Sequence, residues 1–179
     1  DNETEISRYV IYNYEENSWS IGKLERYSWL AAGVLDKPLA AGEASSTKYI
    51  YEHEKGFNND ESAMDGVFIE SADIDIGDGE NFVFLKKILP DLLFVNDPGT
   101  SQDPCINVLV KRRDFANQSL STDSTTQIKS DSTYASLRSR ARQFILRFES
   151  DDDASEVNRK NYKWRLGNTR VEIQPSGRR

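Results

Sequence analysis

The segment that decides the fold is YASLRSRARQFILRF, residues 134–148. Within it, apolar side chains alternate with arginines, and this period of two is typical of a β-strand with one face packed against a core. Nowhere does the chain sustain the 3.6-residue apolar period of an amphipathic helix. We therefore predict that the chain is built from β-strands.

Upstream of this segment, short runs of β-forming residues are separated by turn residues, as in antiparallel sheets. Two hairpins are predicted near the start, pairing 8–13 with 18–21 and 39–42 with 48–54. Between them, residues 27–33 are compatible with a single helical turn, which is too short to count as a helix.

The Asp78-Gly79 dipeptide favours a tight turn, so it predicts a third hairpin between strands 67–76 and 82–89. Downstream, we predict a strand at 106–111 and a final hairpin or bent strand at 164–173. Residues 117–133 are polar and rich in Ser and Thr, which indicates a long loop around one short strand at 126–128.

The polar loop at 57–61 is the best candidate for a domain boundary. We predict an all-β chain in which residues 1–58 form a β-meander or a partial propeller blade. Residues 59–179 would form an antiparallel β-sandwich of the jelly-roll type, since short strands punctuated by turns favour such architectures.

The composition bears on membrane insertion and on the distribution of charge along the chain. The mean hydropathy of −0.69 and the absence of an apolar run near the roughly 20 residues that a transmembrane helix needs predict no membrane span. Residues 1–104 hold 8 Lys and Arg against 21 Asp and Glu, whereas residues 105–179 hold 15 against 9. Such asymmetry suggests either self-association or an anionic partner, or simple pairing within the chain.

The sequence contains little that could carry catalysis. His53 is the only histidine, and its flanking carboxylates are expected to raise its pKa. A catalytic histidine also needs a nucleophile, and no Gly-x-Ser-x-Gly motif is present. We predict that the chain is not an enzyme, that it has no catalytic residues and that His53 donates hydrogen bonds at a strand end.

The most metal-like segment is DIDIGDGE, residues 73–80. Asp73 and Asp75 match the first two ligand positions of an EF-hand loop, but Gly77 and Phe84 occupy positions that require oxygen ligands. Two aspartates at this spacing would share one face of a strand and keep it hydrated. No metal and no other cofactor is therefore predicted.

Arg138, Arg140 and Arg142 are the predicted interaction residues. On a strand they would share one face at intervals of about 6.6–7 Å. Their guanidinium groups suit carboxylates or phosphates, so three partners stay open: carboxylates of the same sheet such as Glu149 and Glu172, a neighbouring subunit, or nucleic acid. The sequence pI near 4.9 argues against specific binding of nucleic acid.

Several motifs resemble a class of tailed-phage virion proteins, those of the packaged-DNA stabilisation or tail-nozzle kind. YNYEENSWSIG (12–22) and YIYEHEKG (49–56) resemble the last blade-like repeat of these proteins. IESADIDIGDG (69–79) and WRLGNTR (164–170) look like their C-terminal region. The resemblance implies that the chain is the C-terminal part of a longer protein, that it assembles into rings, and that it carries no catalytic residues.

We therefore predict a non-enzymatic structural protein of a phage or prophage tail, a portal-proximal connector or nozzle acting through oligomeric assembly. Its partners would be other virion proteins and further copies of itself, and it would reside in the tail of virions assembled in the host cytoplasm. One alternative is a carbohydrate- or receptor-binding β module with a platform of aromatic side chains: Tyr9, Tyr12, Tyr14, Trp19, Tyr27, Trp29, Tyr49 and Tyr51. A second is a glycosidase or peptidase appendage, which would depend on His53 and on the Asp73 and Asp75 pair.

Overall fold

The computed structural model describes residues 6–44, 46–57, 64, 66–75, 79–96, 103–115, 117–151 and 162–177. The chain divides into two compact units, Asp1–Gly56 and Phe57–Arg179. The predicted boundary after residue 58 lies two residues beyond this division, and 58–61 of the predicted boundary loop lie outside the described residues.

All regular structure in the described residues is β-strand, and every strand pairing is antiparallel, so the prediction of an all-β chain is confirmed. Within these residues, no helix is long and apolar enough to cross a membrane.

The first unit contains a two-stranded hairpin and a three-stranded meander. Its strands are β1 (Arg8–Asn13), β2 (Ser18–Lys23), β3 (Ser28–Leu30), β4 (Leu39–Ala44) and β5 (Thr47–Glu52). Both hairpins predicted here are confirmed, as β1 with β2 and β4 with β5. The helical turn suggested for 27–33 is wrong, because Ser28–Leu30 pairs with β4 and the Tyr27 N–H continues that pairing by donating to Ala41 O at 2.9 Å.

The second unit is a β-sandwich. Its strands are β6 (Phe68–Glu70), β7 (Ile74–Asp75), β8 (Val83–Leu89), β9 (Leu92–Asn96), β10 (Cys105–Arg113), β11 (Ser121–Lys129), β12 (Ala135–Ala141), β13 (Gln143–Ser150), β14 (Tyr162–Leu166) and β15 (Arg170–Pro175). One sheet has the order β11-β10-β13, with β6 and β7 both paired to β13, and the other has the order β12-β8-β15. The remaining two strands, β9 and β14, pair with each other.

The core lies between the two larger sheets, because their inward-facing side chains form one buried cluster. The fully buried members with the largest side chains are Ile88, Ile106, Ile128, Leu137, Val108 and Val110. The alternation of β12, in which every second side chain from Ala135 to Ala141 is buried, follows the pattern of the sequence. Leu92, Phe94, Trp164 and Leu166 of the small β9–β14 sheet pack against this cluster.

The predicted hairpin between 67–76 and 82–89 is wrong. The first segment forms β6 and β7 on the edge of β13, whereas β8 pairs with β12 and β15 in the other sheet. Ser71 separates β6 from β7, since its hydroxyl accepts a hydrogen bond from the Leu146 N–H at 3.0 Å. Asp78 of the predicted turn lies outside the described residues.

Three further differences concern strand length and partners. The predicted loop at 117–133 contains the nine-residue β11. Residues 164–173 form no hairpin, because β14 pairs with β9 and β15 pairs with β8. Strand β9 begins two residues after Pro90 and was not predicted; its five residues carry too short a pattern to be distinguished from a loop.

Candidate interaction surfaces

The three predicted interaction residues lie along and just beyond β12. Arg138 is exposed, Arg140 is half-buried and Arg142 follows the last residue of the strand. The register of β12 against β8 shifts between Ser136 and Ser139, so the even spacing expected for a regular strand is interrupted beside Arg138.

Arg140 and Arg142 are packed within their own unit. Arg140 donates from Nε to Ser176 Oγ at 2.8 Å and from Nη2 to Ser176 O at 3.0 Å. Its guanidinium carbon lies 4.1 Å from the centroid of the Phe82 ring, and that of Arg142 lies 5.0 Å from the same centroid. Arg140 therefore connects the residue after β15 to Phe82, and Arg142 packs against the same ring. Arg138 is more exposed than either of them.

The two carboxylates named as possible partners of these arginines bind other cations. Glu149 accepts a hydrogen bond from Arg147 Nε at 2.6 Å. Glu172 lies 3.0 Å from Lys87 Nζ and 3.7 Å from Lys86 Nζ. Contact with Lys87 by hydrogen bonding and by charge lowers the pKa of Glu172.

His53 follows β5, and its ring is held between a cation and an aromatic side chain. Arg26 Nε donates to His53 Nε2 at 3.2 Å, and the Trp29 and His53 ring centroids are 4.6 Å apart. Burial and the neighbouring Arg26 charge lower the pKa of His53, and together they outweigh Glu54, which raises it. The expectation of a raised pKa is therefore wrong, because the sequence did not indicate that Arg26 would reach this ring.

The aspartates of the metal-like segment occupy separate places. Asp73 forms an ion pair with Arg113, and Asp75 lies opposite Gln143 in the pairing of β7 with β13. Ile76, Gly77 and Asp78 lie outside the described residues. Among the residues that are described, no group of three or more His, Cys, Asp or Glu side chains is placed to hold a metal ion.

The β1–β2 hairpin leaves large apolar side chains uncovered. Cross-strand pairing puts Val10 opposite Ile21 and Tyr12 opposite Trp19 on one face, which we call the hairpin face. The Tyr12 and Trp19 rings stack with centroids 4.4 Å apart. Nevertheless, Trp19 is 69% exposed and Ile21 is 82% exposed, so within the described residues this face lacks a covering layer.

A second surface, which we call the aromatic face, lies on the β3–β4–β5 meander. Its outer strands and their flanking residues contribute large side chains: Arg26, Trp29, Tyr49, Tyr51 and His53. The central strand contributes Ala40, opposite both Trp29 and Tyr51, and Gly42, opposite Tyr49. Ala40 is 2% exposed, whereas Trp29 is 54% exposed.

Arg26 connects the two sides of the aromatic face. Its guanidinium carbon lies 3.8 Å from the centroid of the Tyr51 ring, and its Nη1 donates to Glu25 O at 2.6 Å. Gly42 allows close packing here, because a Cβ at this position would come within 3.1 Å of Arg26 Cδ, Tyr51 Cε2 and Glu25 O, closer than usual contact. Neither Arg26 nor Gly42 belongs to a sequence motif that would have singled it out.

At one end of the sandwich, a buried carboxylate accepts hydrogen bonds from several side chains. Asp151 accepts hydrogen bonds from Asn107 Nδ2 at 3.1 Å, from Gln127 Nε2 at 2.8 Å and from Cys105 Sγ at 3.6 Å. Burial, followed by the Asp151 charge, raises the pKa of the Cys105 thiol. Tyr162 donates to Cys105 O at 2.7 Å, and burial raises its pKa to about 12. This cluster connects β10, β11, β13 and β14.

The sequence was compared with profiles of known protein families and with curated proteins, and neither comparison finds a match. The resemblance to tailed-phage virion proteins therefore stays a prediction from the motifs quoted above.

Proposed function

We propose that the chain is a non-enzymatic structural protein of a phage or prophage tail, a connector or nozzle component near the portal, and that it works through oligomeric contact. Its partners would be further copies of itself and other virion proteins, in the tail of particles assembled in the host cytoplasm. The observation that carries the proposal is the uncovered hairpin face formed by Val10, Tyr12, Trp19 and Ile21.

A two-stranded hairpin is marginally stable in water unless another layer covers its apolar side chains. Covering one large apolar side chain contributes about 1.5–3 kcal/mol. Contiguous exposed apolar surface of this kind is typical of sites that bind another protein. A protein that covers the hairpin face would therefore bind favourably, and its binding would also stabilise the hairpin.

The distribution of charge supports assembly between copies. Residues 1–104 carry a net charge of −13 and residues 105–179 carry +6, counted from the sequence. Complementary charges across an interface increase association rates and select the orientation of the partners. The proposal of a phage tail comes from the motif resemblance. The exposed apolar surface supports only the more general part of the proposal, that the chain binds another protein.

The test replaces two residues of the hairpin face, in the double variant Val10→Thr/Ile21→Thr. Threonine retains β propensity but removes apolar surface, so the hairpin should form and association should weaken about tenfold or more. Sedimentation velocity on the purified protein measures the association. The control is Ile11→Thr, which alters the opposite face of the same strand.

Cross-linking in purified particles supplies the second readout. Wild-type protein should cross-link to portal or tail components, and the double variant should be depleted from particles. A wild-type chain that sediments as a monomer and forms no cross-link to any virion protein would refute the proposal.

A second candidate function is a carbohydrate- or receptor-binding β module. The observation that favours it is the exposure of seven of the eight aromatic side chains named from the sequence, which ranges from 41% for Tyr27 to 79% for Tyr14. Exposed rings serve as stacking surfaces for flat or ring-shaped ligands because they combine large contact area with little conformational freedom.

A further inference from the structure

We propose that the aromatic face of the β3–β4–β5 meander binds a neutral saccharide, with a sugar ring stacked on Trp29 and its hydroxyls bound by Arg26 and the tyrosines. The inference rests on the second candidate function and names its site and ligand class. It does not depend on assembly through the hairpin face, which uses different strands.

The first argument is preorganisation. Trp29 contacts His53, His53 accepts a hydrogen bond from Arg26, Arg26 lies over Tyr51, and the Tyr51 and Tyr49 ring centroids are 5.9 Å apart. The five side chains thus form an unbroken chain of contacts across the sheet. Binding is tighter when the protein side chains are already held in place, because less conformational entropy is lost.

The second argument is shape. The central strand contributes only small residues to this face, Ala40 and Gly42, between outer strands that carry Trp29 on one side and Tyr49 and Tyr51 on the other. The large side chains cover the small ones, since Ala40 is only 2% exposed and Arg26 lies above Gly42. The face is therefore a continuous surface of aromatic side chains and one guanidinium group, with the Trp29 ring exposed at one edge.

The third argument is the supply of polar groups. Arg26 uses Nε and Nη1 in hydrogen bonds to His53 and Glu25, while its Nη2 makes none to a described residue. The hydroxyls of Tyr49 and Tyr51 likewise make no hydrogen bond to a described residue. A sugar ring offers apolar C–H groups on its face and hydroxyls at its edge, which matches exposed rings flanked by donors.

The charge of the surface around the aromatic face favours a neutral ligand. Residues 25–55 contain four Lys and Arg and five Asp and Glu, so the surface around the face is close to neutral. Lys37 donates to Glu54 O at 2.8 Å and Lys55 pairs with Glu52 at 2.7 Å. Binding a polyanion such as single-stranded nucleic acid requires a positively charged track beside the aromatic side chains, and this surface does not supply one.

The experiment uses the full chain on two arrays of immobilised glycans, one of neutral oligosaccharides and one of sulfated and phosphorylated oligosaccharides. Affinity for the best neutral probe is then measured by titration for the wild type and for Trp29→Ala, Trp29→Phe and Leu30→Ala. Thermal melting of each variant confirms that it folds. Trp29 and Leu30 are neighbours on β3 whose side chains point to opposite faces, and both are exposed, so Leu30→Ala is a matched control outside the aromatic face.

We expect the wild type to bind a neutral probe and Trp29→Ala to bind it about tenfold more weakly or worse. Trp29→Phe should retain intermediate affinity, and Leu30→Ala should match the wild type.

Loss in Leu30→Ala with retention in Trp29→Ala would overturn the site but leave a carbohydrate-binding module in place. Binding to charged probes alone would overturn the neutral ligand. No binding to either array would overturn both this inference and the carbohydrate-binding form of the second candidate function, without affecting the assembly test. A Trp29→Ala variant that dissociates an oligomer and keeps glycan affinity would show that this face is a protein interface instead.

Discussion

Arg26 illustrates how one side chain organises a surface. It donates a hydrogen bond to His53, stacks on Tyr51 and lies against Gly42. None of these neighbours is within ten residues of Arg26 in the sequence, so the arginine appeared there as an ordinary surface cation. Its role follows from the meander, in which the Arg26 side chain extends from just before β3 across β4 to Tyr51 and His53 at the end of β5.

The same arginine, together with burial, lowers the pKa of the only histidine. The folded-state pKa of His53 lies below the ordinary value of 6.5, first through burial and then through the Arg26 charge. The unfolded chain therefore binds a proton more readily than the folded one. The contribution of His53 to the free energy of unfolding is fully present above pH 6.5 and is lost as the pH falls towards the folded-state pKa.

Proton NMR checks this prediction directly, because a single histidine gives a single imidazole titration curve. We expect a midpoint below 6.5, and an Arg26→Gln variant should move it upwards by removing the positive charge. A midpoint above 6.5 in the wild type would contradict the arrangement of Arg26 and His53.

Residue-scale prediction from the sequence listed the residue types present but failed where side chains from different strands cluster. The absence of a Gly-x-Ser-x-Gly motif is a property of the sequence alone. Asp151 begins a run of three aspartates, a composition typical of a solvated loop, yet it is buried and accepts hydrogen bonds from side chains of β10 and β11. Burial depends on which strands converge, and the local composition does not contain that information.

At the scale of elements, Gly42 decides how closely Arg26 and Tyr51 can approach β4. We predict that Gly42→Ala displaces both side chains and destabilises the first unit by about 1–3 kcal/mol, since overpacking forces neighbours out of their preferred positions. The matched control is Gly33→Ala, because a Cβ at Gly33 meets no described atom within 4 Å.

Thermal or urea unfolding of the two alanine variants tests the prediction. Gly33→Ala should be neutral, or more stable by up to about 1 kcal/mol through the reduced entropy of its unfolded chain. Equal stability of the two variants would show that Gly42 has room for a side chain and that Arg26 is not held against it.

Local sequence patterns predicted where the strands lie more reliably than which strands pair with each other. The hairpins of the first unit were predicted correctly because each has a short turn that leaves its strands little alternative. The predicted pairing across Asp78-Gly79 was wrong, because β8 pairs with β12 and β15, which lie more than 40 residues downstream. A turn dipeptide favours a local hairpin. Here that preference is outweighed because β8 is buried between β12 and β15, in the sheet that does not contain β6 and β7.

At the scale of the whole molecule, the sandwich core is the dominant stabilising feature of the second unit. Leu137 is fully buried in it, whereas Leu93 of β9 is 58% exposed. We predict that Leu137→Ala lowers the free energy of unfolding by about 2–5 kcal/mol. Leu93→Ala should change it by no more than about 0.5 kcal/mol.

Chemical denaturation measures both leucine variants in a Trp19→Phe/Trp29→Phe background, in which Trp164 is the only tryptophan left to fluoresce. Trp164 packs against the core cluster and therefore reports on the second unit. A comparable loss in both variants would contradict the assignment of Leu137 to the core and of Leu93 to the surface.

The sequence by itself determined that this chain is all-β, because alternation of apolar and polar side chains is a local property that only a strand with two different faces satisfies. It also determined the turns of the first unit and the residue types available for chemistry. Only the tertiary structure decided which strands share a sheet, that Arg140 and Arg142 pack against Phe82 within their own unit, and that Arg26 reaches His53. These outcomes depend on long-range pairing and on the burial it produces, which follow from the free energy of the whole fold and have no counterpart in any short stretch of residues.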